Sequence, residues 1–293
     1  MNRFLDKAAI VEEKYRDEKE NPWRLATVTR VEETKLILNV VPIWLTSLLV
    51  GVCIAYGSTL FVKQTAALNL KISNSFEIPP ASMLSLAGFG TMAFVPIYDR
   101  IIVPILRKVT GNERGISILR RIGVGLTLLI ILMAVAAMVE TKRLRMVGNE
   151  VVTEEGTKPE TMSLMWMIPQ FIMLGIGNSF CLTGLQEYFY DQVPDSMRSI
   201  GMALYLSGIG VGFFLSSFLL IIVDYVTGKT GKSWIAEDVN SSRLDKLYWL
   251  VVGLNILNLF LFVILAMRYT YKTVHKKATE IDGSNTDGVE TQP

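Results

Sequence analysis

The stretch SLMWMIPQFIMLGIGNSFCLTGLQEYFYDQVPDSMRS, residues 163–199, decides how the chain is read. Its first part is a continuous apolar run, and about 20 such residues suffice to cross the hydrocarbon core of a bilayer as a helix. One carboxylate, Glu187, lies near the end of that run. At the centre of a membrane helix a carboxylate costs roughly 2.5 to 3.5 kcal/mol on insertion scales, so a charge there has a partner or a task. Two readings follow. Glu187 either faces a polar cavity, or ends the helix as a solvated residue at the headgroup level with Asp191 and Asp195 beside it. Within the run, Pro169 is expected to kink the helix, and Gly175, Gly177 and Gly184 to let neighbouring helices approach closely.

Five further apolar runs flank this one, at about 36–62, 81–98, 116–139, 201–223 and 248–269. The 293 residues are 51% hydrophobic with a mean hydropathy of +0.38. That is more apolar than a soluble domain. The expected fold is an all-α membrane protein, a bundle of six transmembrane helices over residues 36–271. A charged cytoplasmic segment, 1–35, precedes it, and a disordered cytoplasmic tail, 272–293, follows. Thr29 and Glu32 have the spacing of a capping box at the start of the first span. Pro79 and Pro80 suit the start of the second, where a missing N–H is harmless. Residues 140–162 mix both charge signs with glycine and proline, and read as a mobile outer loop without chemistry. Gly208 and Gly212 mark a helix-packing face, and Asn255 and Asn258 read as interhelical hydrogen-bonding groups.

Charge sets the orientation. With six spans and a cytoplasmic N-terminus, about two-thirds of the 29 Lys and Arg fall on the inner side, as the positive-inside rule requires. Both termini are therefore expected in the cytoplasm. Asn240-Ser241-Ser242, an N-glycosylation sequon, then falls on the outer or lumenal side, where that modification occurs. The two cysteines, Cys53 and Cys181, lie inside apolar runs and read as small packing residues. His275, the single histidine, lies in the tail. No nucleophile with its base, no phosphate-cradling glycine loop and no metal-ligand cluster can be assembled from these residues, so neither an enzyme, a metal site nor a cofactor is expected. A net charge of +2 with basic residues scattered between spans gives no surface for nucleic acid. No cleavable signal peptide is expected, because the first apolar run follows a charged leader. What remains is a transporter, or a membrane receptor or scaffold that needs only the six spans.

The segment QEYFYDQVPDSMRSIGMALY resembles the corresponding part of the plant nitrate and peptide transporter family, within the proton-coupled oligopeptide transporters of the major facilitator superfamily. The segments FLDKAAI, NPWRLATVTRVEETK, VPIWLT, STLFVKQ, FEIPPASM, PIYDRI, VETKRL and SRLDKLYWL carry the resemblance along nearly the whole chain. Their order is that of the family's second half, from the central linker through the last six spans. The resemblance implies two six-helix bundles that rock about a central cavity, of which this chain is the C-terminal one. It implies a small-molecule or anion substrate moved with protons, membrane lipid around the bundle, and an N-terminal bundle as partner. A multi-pass protein of the plasma or vacuolar membrane is expected.

By the same resemblance Glu187 matches the family's tenth-span glutamate, which faces the cavity and pairs with a lysine of the first bundle. The family's seventh-span cavity positions fall on Ile54, Tyr56 and Ser58. Ile54 stands where some nitrate-transporting members carry histidine, which puts histidine-based nitrate binding in doubt. Phe213 and Phe214 are the aromatic candidates for the cavity lining. Asp99-Arg100 resembles the superfamily's cytoplasmic gating motif, with a plain interfacial salt bridge as the alternative. The family's E-x-x-E-R coupling motif does not occur in this sequence. The chain is accordingly expected to be a partial product, inactive alone, or a regulatory half-transporter. Gln186, turned about 100° from Glu187 on a helix of 3.6 residues per turn, is expected to serve as a neutral control.

Overall fold

The computed structural model describes residues 28–73, 76–110, 117–148, 150–153, 156–159, 162–229, 233–236 and 239–268. Residues 1–27 of the expected charged segment 1–35, and the whole of the expected tail 272–293, lie outside the described residues. Six helices are long and apolar enough to cross a membrane: α1 (Thr34–Ala66), α2 (Pro80–Ile105), α3 (Ile118–Val147), α4 (Leu164–Asp191), α5 (Arg198–Lys229) and α6 (Leu244–Arg268). They form a bundle in which α3 packs on α4 and α6, α1 on α5, and α2 on α4. The helix carrying α1 already includes Val28, so Thr29 lies within it. The capping box expected at Thr29 therefore does not open this helix.

Polar side chains and glycine set the closeness of these contacts. A Cβ on Gly212 would meet Gly51 Cα and the Leu48 carbonyl at 2.6 Å, so α1 and α5 touch backbone to backbone. At Gly175 a Cβ would overlap the carbonyl oxygen of Ala87 on α2, and the Thr91 hydroxyl donates to the Gly175 carbonyl at 3.0 Å. Asn258 Nδ2 donates to the Thr46 carbonyl at 2.9 Å, joining α6 to α1. Trp44 Nε1 donates to the Leu204 carbonyl at 2.9 Å, joining α1 to α5. With no hydrophobic drive between helices in lipid, close packing and such bonds hold a bundle together. Cys53 and Cys181 are both buried free thiols, and Cys181 lies against Gly125 of α3.

Irregular turns interrupt two of the spans, each for a visible reason. In α1 the Ala55 carbonyl accepts from the Thr59 N–H at 3.0 Å, the Ser58 hydroxyl at 3.0 Å and the Thr59 hydroxyl at 2.6 Å. Such back-bonding distorts a helix, and the regular α-helix stops at Ser58 and resumes at Leu60. In α2, Pro96 supplies no N–H, and the five residues Tyr98–Ile102 beyond it form a π-helical turn. Pro169 behaves differently from expectation. It occupies the first turn of the α-helix Ile168–Asp191, after a 3-10 turn over Leu164–Met167, so it starts the helix and does not kink it.

The segment 140–162 is also corrected. Helix α3 continues to Val147, and an antiparallel hairpin follows, Glu150–Thr153 (β3) against Gly156–Pro159 (β4). A first small hairpin, Lys71–Ser73 (β1) with Phe76–Glu77 (β2), sits at the same end. Beside it the Asn69 N–H donates to the Met162 carbonyl at 2.9 Å. The residues that seemed to end α3, Glu140 and Arg143, are 0% and 1% exposed. Arg143 Nε and Nη2 donate to the two Glu140 carboxylate oxygens at 2.9 and 2.7 Å. Its Nη1 donates to Asn240 Oδ1 at 2.7 Å and its Nη2 to the Val239 carbonyl at 3.0 Å. The charges sit one turn apart on one helix face, and each neutralises the other, which lets the helix run on.

Candidate functional site at the Glu187 end of the bundle

The ends of α2 and α4 and the beginnings of α3 and α5 come together where the bundle carries Glu187. Glu187 stands in the last turns of α4, and its Oε2 lies 3.7 Å from Arg121 Nη1 in the first turn of α3. The side chains are 31% and 17% exposed. Each charge is at the unfavourable end of its own helix, an anion near a C-terminus and a cation at an N-terminus. Pairing across the antiparallel interface offsets both penalties. In part-exposed surroundings such a pair contributes up to about 1 kcal/mol, so its value lies in fixing geometry.

The other face of the Arg121 guanidinium lies over the Tyr98 ring, 4.6 Å from its centroid. Tyr98 is buried, in the π-helical turn of α2. It meets Phe180 of α4 edge-on at 5.2 Å, and Phe94 completes the cluster at 5.1 Å from Phe180. Arg121 thus touches α2 and α4 from α3. Its Nε is buried with no hydrogen-bond partner among the described residues.

On its open side Glu187 lines a pocket of about 450 Å³ with Thr183, Gln186, Tyr190, Asp191 and Met202. The pocket has an aromatic edge under a second cation. Arg198 Nη1 donates to the Tyr190 hydroxyl at 3.2 Å, and its guanidinium lies 4.6 Å from the ring centroid. A concave surface with two carboxylates, an amide, hydroxyl groups and an aromatic ring can hold a small polar solute and present it with a protonatable group. Gln186 shares the pocket, so it is not the neutral control expected from its helical position. One residue of offset separates the two side chains by about 100°, which a wide pocket spans. Asp191 also lines it, whereas the side chain of Asp195 lies outside the described residues.

The remaining sequence candidates occupy other places. Tyr56 is fully buried, and its hydroxyl donates to the Ser216 carbonyl of α5 at 3.3 Å. The Ser58 hydroxyl donates within its own helix. Ile54 is half-buried against the core. Phe213 and Phe214 are on the open side of α5, and Phe214 is 80% exposed. None of these five lines the Glu187 pocket. Asp99 and Arg100 are exposed in the π-helical turn, one and two residues after Tyr98. No ion pair among the described residues includes either of them. Asn240 is exposed and accepts from Arg143, while Ser242 of the sequon is buried. The Ser242 hydroxyl accepts from the Ala236 N–H at 3.0 Å and donates to its carbonyl at 3.1 Å.

Sequence reasoning assigned Arg121 to a general cationic stretch and missed its pairing. The signal was present in hindsight of the topology alone, since a cation in the first turn of a helix is out of place unless something nearby is negative.

The sequence model of the POT family matches residues 1–235. Protein NRT1/PTR FAMILY 5.7 of Arabidopsis thaliana is 48% identical over 295 residues, 99% of this chain and 48% of the relative. Protein NRT1/PTR FAMILY 5.6 of the same plant is 48% identical over 275 residues, 93% of this chain and 46% of the relative. The chain therefore spans about half the length of the curated relatives it matches. Among solved structures, an auto inhibited POT family peptide transporter superimposes with a TM-score of 0.63 at 20% identity, over 85% of this chain and 44% of that one. The POT family transporter PepTSo gives 0.63 at 21% identity, over 82% and 43%. These two likenesses concern the fold.

Proposed function

Because the chain belongs to the POT family, we propose that it forms the C-terminal six-helix half of a proton-coupled transporter for nitrate, peptides or other small solutes. Its half-cavity carries Glu187 as the functional carboxylate, with Asp191 in the same pocket. The observation that supports this most is the part-exposed carboxylate on the wall of the pocket of about 450 Å³, at the end of the bundle where α2 and α4 finish. Phe213 and Phe214, on the open side of α5, are apolar surface for a second bundle or for lipid. Asp99 and Arg100 are the gating candidates, exposed within the π-helical turn.

A half-cavity open on one side cannot alternate access between two faces of a membrane. Co-expression tests the reading. The first six spans of a relative such as Protein NRT1/PTR FAMILY 5.7, produced with this chain, should co-purify with it and restore proton-driven uptake in liposomes. The chain alone should give uptake indistinguishable from empty liposomes. Robust proton-driven uptake by the chain alone would contradict the half-cavity assignment.

The proposed orientation places both termini and the Glu187 end in the cytoplasm, with Asn240 opposite, in the plasma or vacuolar membrane. Cysteines introduced at Ser284 and Ser241 should react with an impermeant thiol reagent from opposite sides. The native cysteines, both buried, give little background. Labelling of both positions from one side would overturn the six-span orientation.

A further inference from the structure

Arg121 does more than neutralise Glu187, because it touches three helices and one of them is poorly anchored. The α2 span is the least buried of the six, with 11% of its most apolar window inside the bundle. Its firm contact with the rest lies near Gly175, where Ala87 and Thr91 meet α4. Beyond that point it contains Pro96 and the π-helical turn Tyr98–Ile102, where the hydrogen-bond ladder is irregular. Such turns are the usual places for a helix to bend. What holds the start of this turn is Tyr98, set on Phe180 and covered by the Arg121 guanidinium.

We infer that Arg121 is a positioning residue that ties the charge of Glu187 to the bend of α2, so that neutralising Glu187 loosens the π-helical turn carrying Asp99 and Arg100. With Glu187 ionised, the guanidinium is fixed between a carboxylate on one side and an aromatic face on the other. A proton on the carboxylate removes the attraction on the first side. The guanidinium then has a ring face and a buried Nε without a hydrogen-bond partner among the described residues, an arrangement that favours its movement toward water. As it moves, Tyr98 loses its cover and α2 loses its hold beyond Pro96.

Among the described residues, the other titratable or charged groups at this cluster include Tyr98 and, acting on it, Asp99 of α2, Tyr190 and Asp191 of α4, and Arg198 of α5. Arg198 is engaged on Tyr190. Arg121 is the cation that bridges α2 and α4. The inference rests on Glu187 being the functional carboxylate, and adds the route by which its charge reaches the gating segment.

Hydrogen exchange of the full chain in lipid nanodiscs tests it, read over residues 94–105 with α6 as the internal reference. Glu187→Gln should speed exchange of the α2 segment on the order of fivefold, with α6 unchanged. Arg121→Gln should do the same, and the double variant should add nothing further, because both changes cut one connection. Arg121→Lys, which keeps the charge, should restore slow exchange in part. Unchanged α2 exchange in Glu187→Gln, or additive effects in the double variant, would overturn the tether. If Arg121→Gln loosens α6 as well, the isosteric Glu187→Gln and the Arg121→Lys variants decide alone. Uptake by a full-length relative is a separate readout: normal transport with the substitution equivalent to Glu187→Gln would refute the cavity role while leaving an α2 exchange effect standing.

Discussion

Removing either partner of the buried pair at the opposite end, by Glu140→Gln or Arg143→Met, should destabilise the bundle by about 3 to 5 kcal/mol. That corresponds to a fall in thermal midpoint on the order of 10 °C for a protein of this size. Both side chains are excluded from solvent, and the guanidinium is held by four hydrogen bonds, two to Glu140, one to Asn240 and one to Val239. Taking one partner away leaves a buried charge without its counter-charge. In Arg143→Met the Asn240 and Val239 oxygens lose their donor too, so the connection between α5 and α6 should also become more susceptible to protease. The double variant Glu140→Leu/Arg143→Met removes both charges and should recover a large part of the loss, since two absent charges need no desolvation. Thermal unfolding in detergent, followed by exposure of the buried cysteines to a thiol dye, measures it. Single variants within about 1 kcal/mol of the parent would show that the pair is open to water in solution.

That pair also marks the limit of what the sequence discloses. The six helices were legible because each apolar run is longer than a globular core requires and is bounded by charge. The same rule placed the end of α3 at Val139, since a glutamate and an arginine look like the end of a membrane helix. Their spacing lets them cancel each other on one face, and the helix continues to Val147. Pro169 was misplaced for a related reason. A proline in an apolar run signals a kink only if helix precedes it, and here a 3-10 turn precedes it. Glycine contacts were legible as small residues on helices, though not which helices they join. That Gly212 meets Gly51 and Gly175 meets Ala87 depends on the packing order of the bundle.

The site was half legible. Glu187 stood out as a carboxylate near the end of an apolar run, and its neighbourhood did not. Arg121 lies far from it in sequence and meets it because α3 starts beside the end of α4. Tyr56 drew notice as a hydroxyl within a span, but a tyrosine that reaches a backbone carbonyl on the next helix is held by packing. Phe214 is more exposed than a single bundle alone would explain, and a face of that kind needs lipid or a second bundle to cover it.

The largest functional effect is expected at Glu187. Glutamine keeps the shape of the side chain and its capacity to accept hydrogen bonds, and removes both the ionisable group and the ion pair with Arg121. Loss of the partly exposed pair should lower stability by no more than about 1 kcal/mol, so a large loss of transport would reflect chemistry and not folding. Gln186 lines the same pocket, so expression level and thermal midpoint serve as the controls in its place. The most direct measurement is proton-driven uptake by a full-length relative carrying the QEYFY segment, with and without the substitution equivalent to Glu187→Gln. Uptake driven by the proton gradient should fall to background at matched expression and matched thermal midpoint. Uptake equal to the parent under those conditions would make Glu187 an interfacial carboxylate and contradict its place as the functional carboxylate of the cavity.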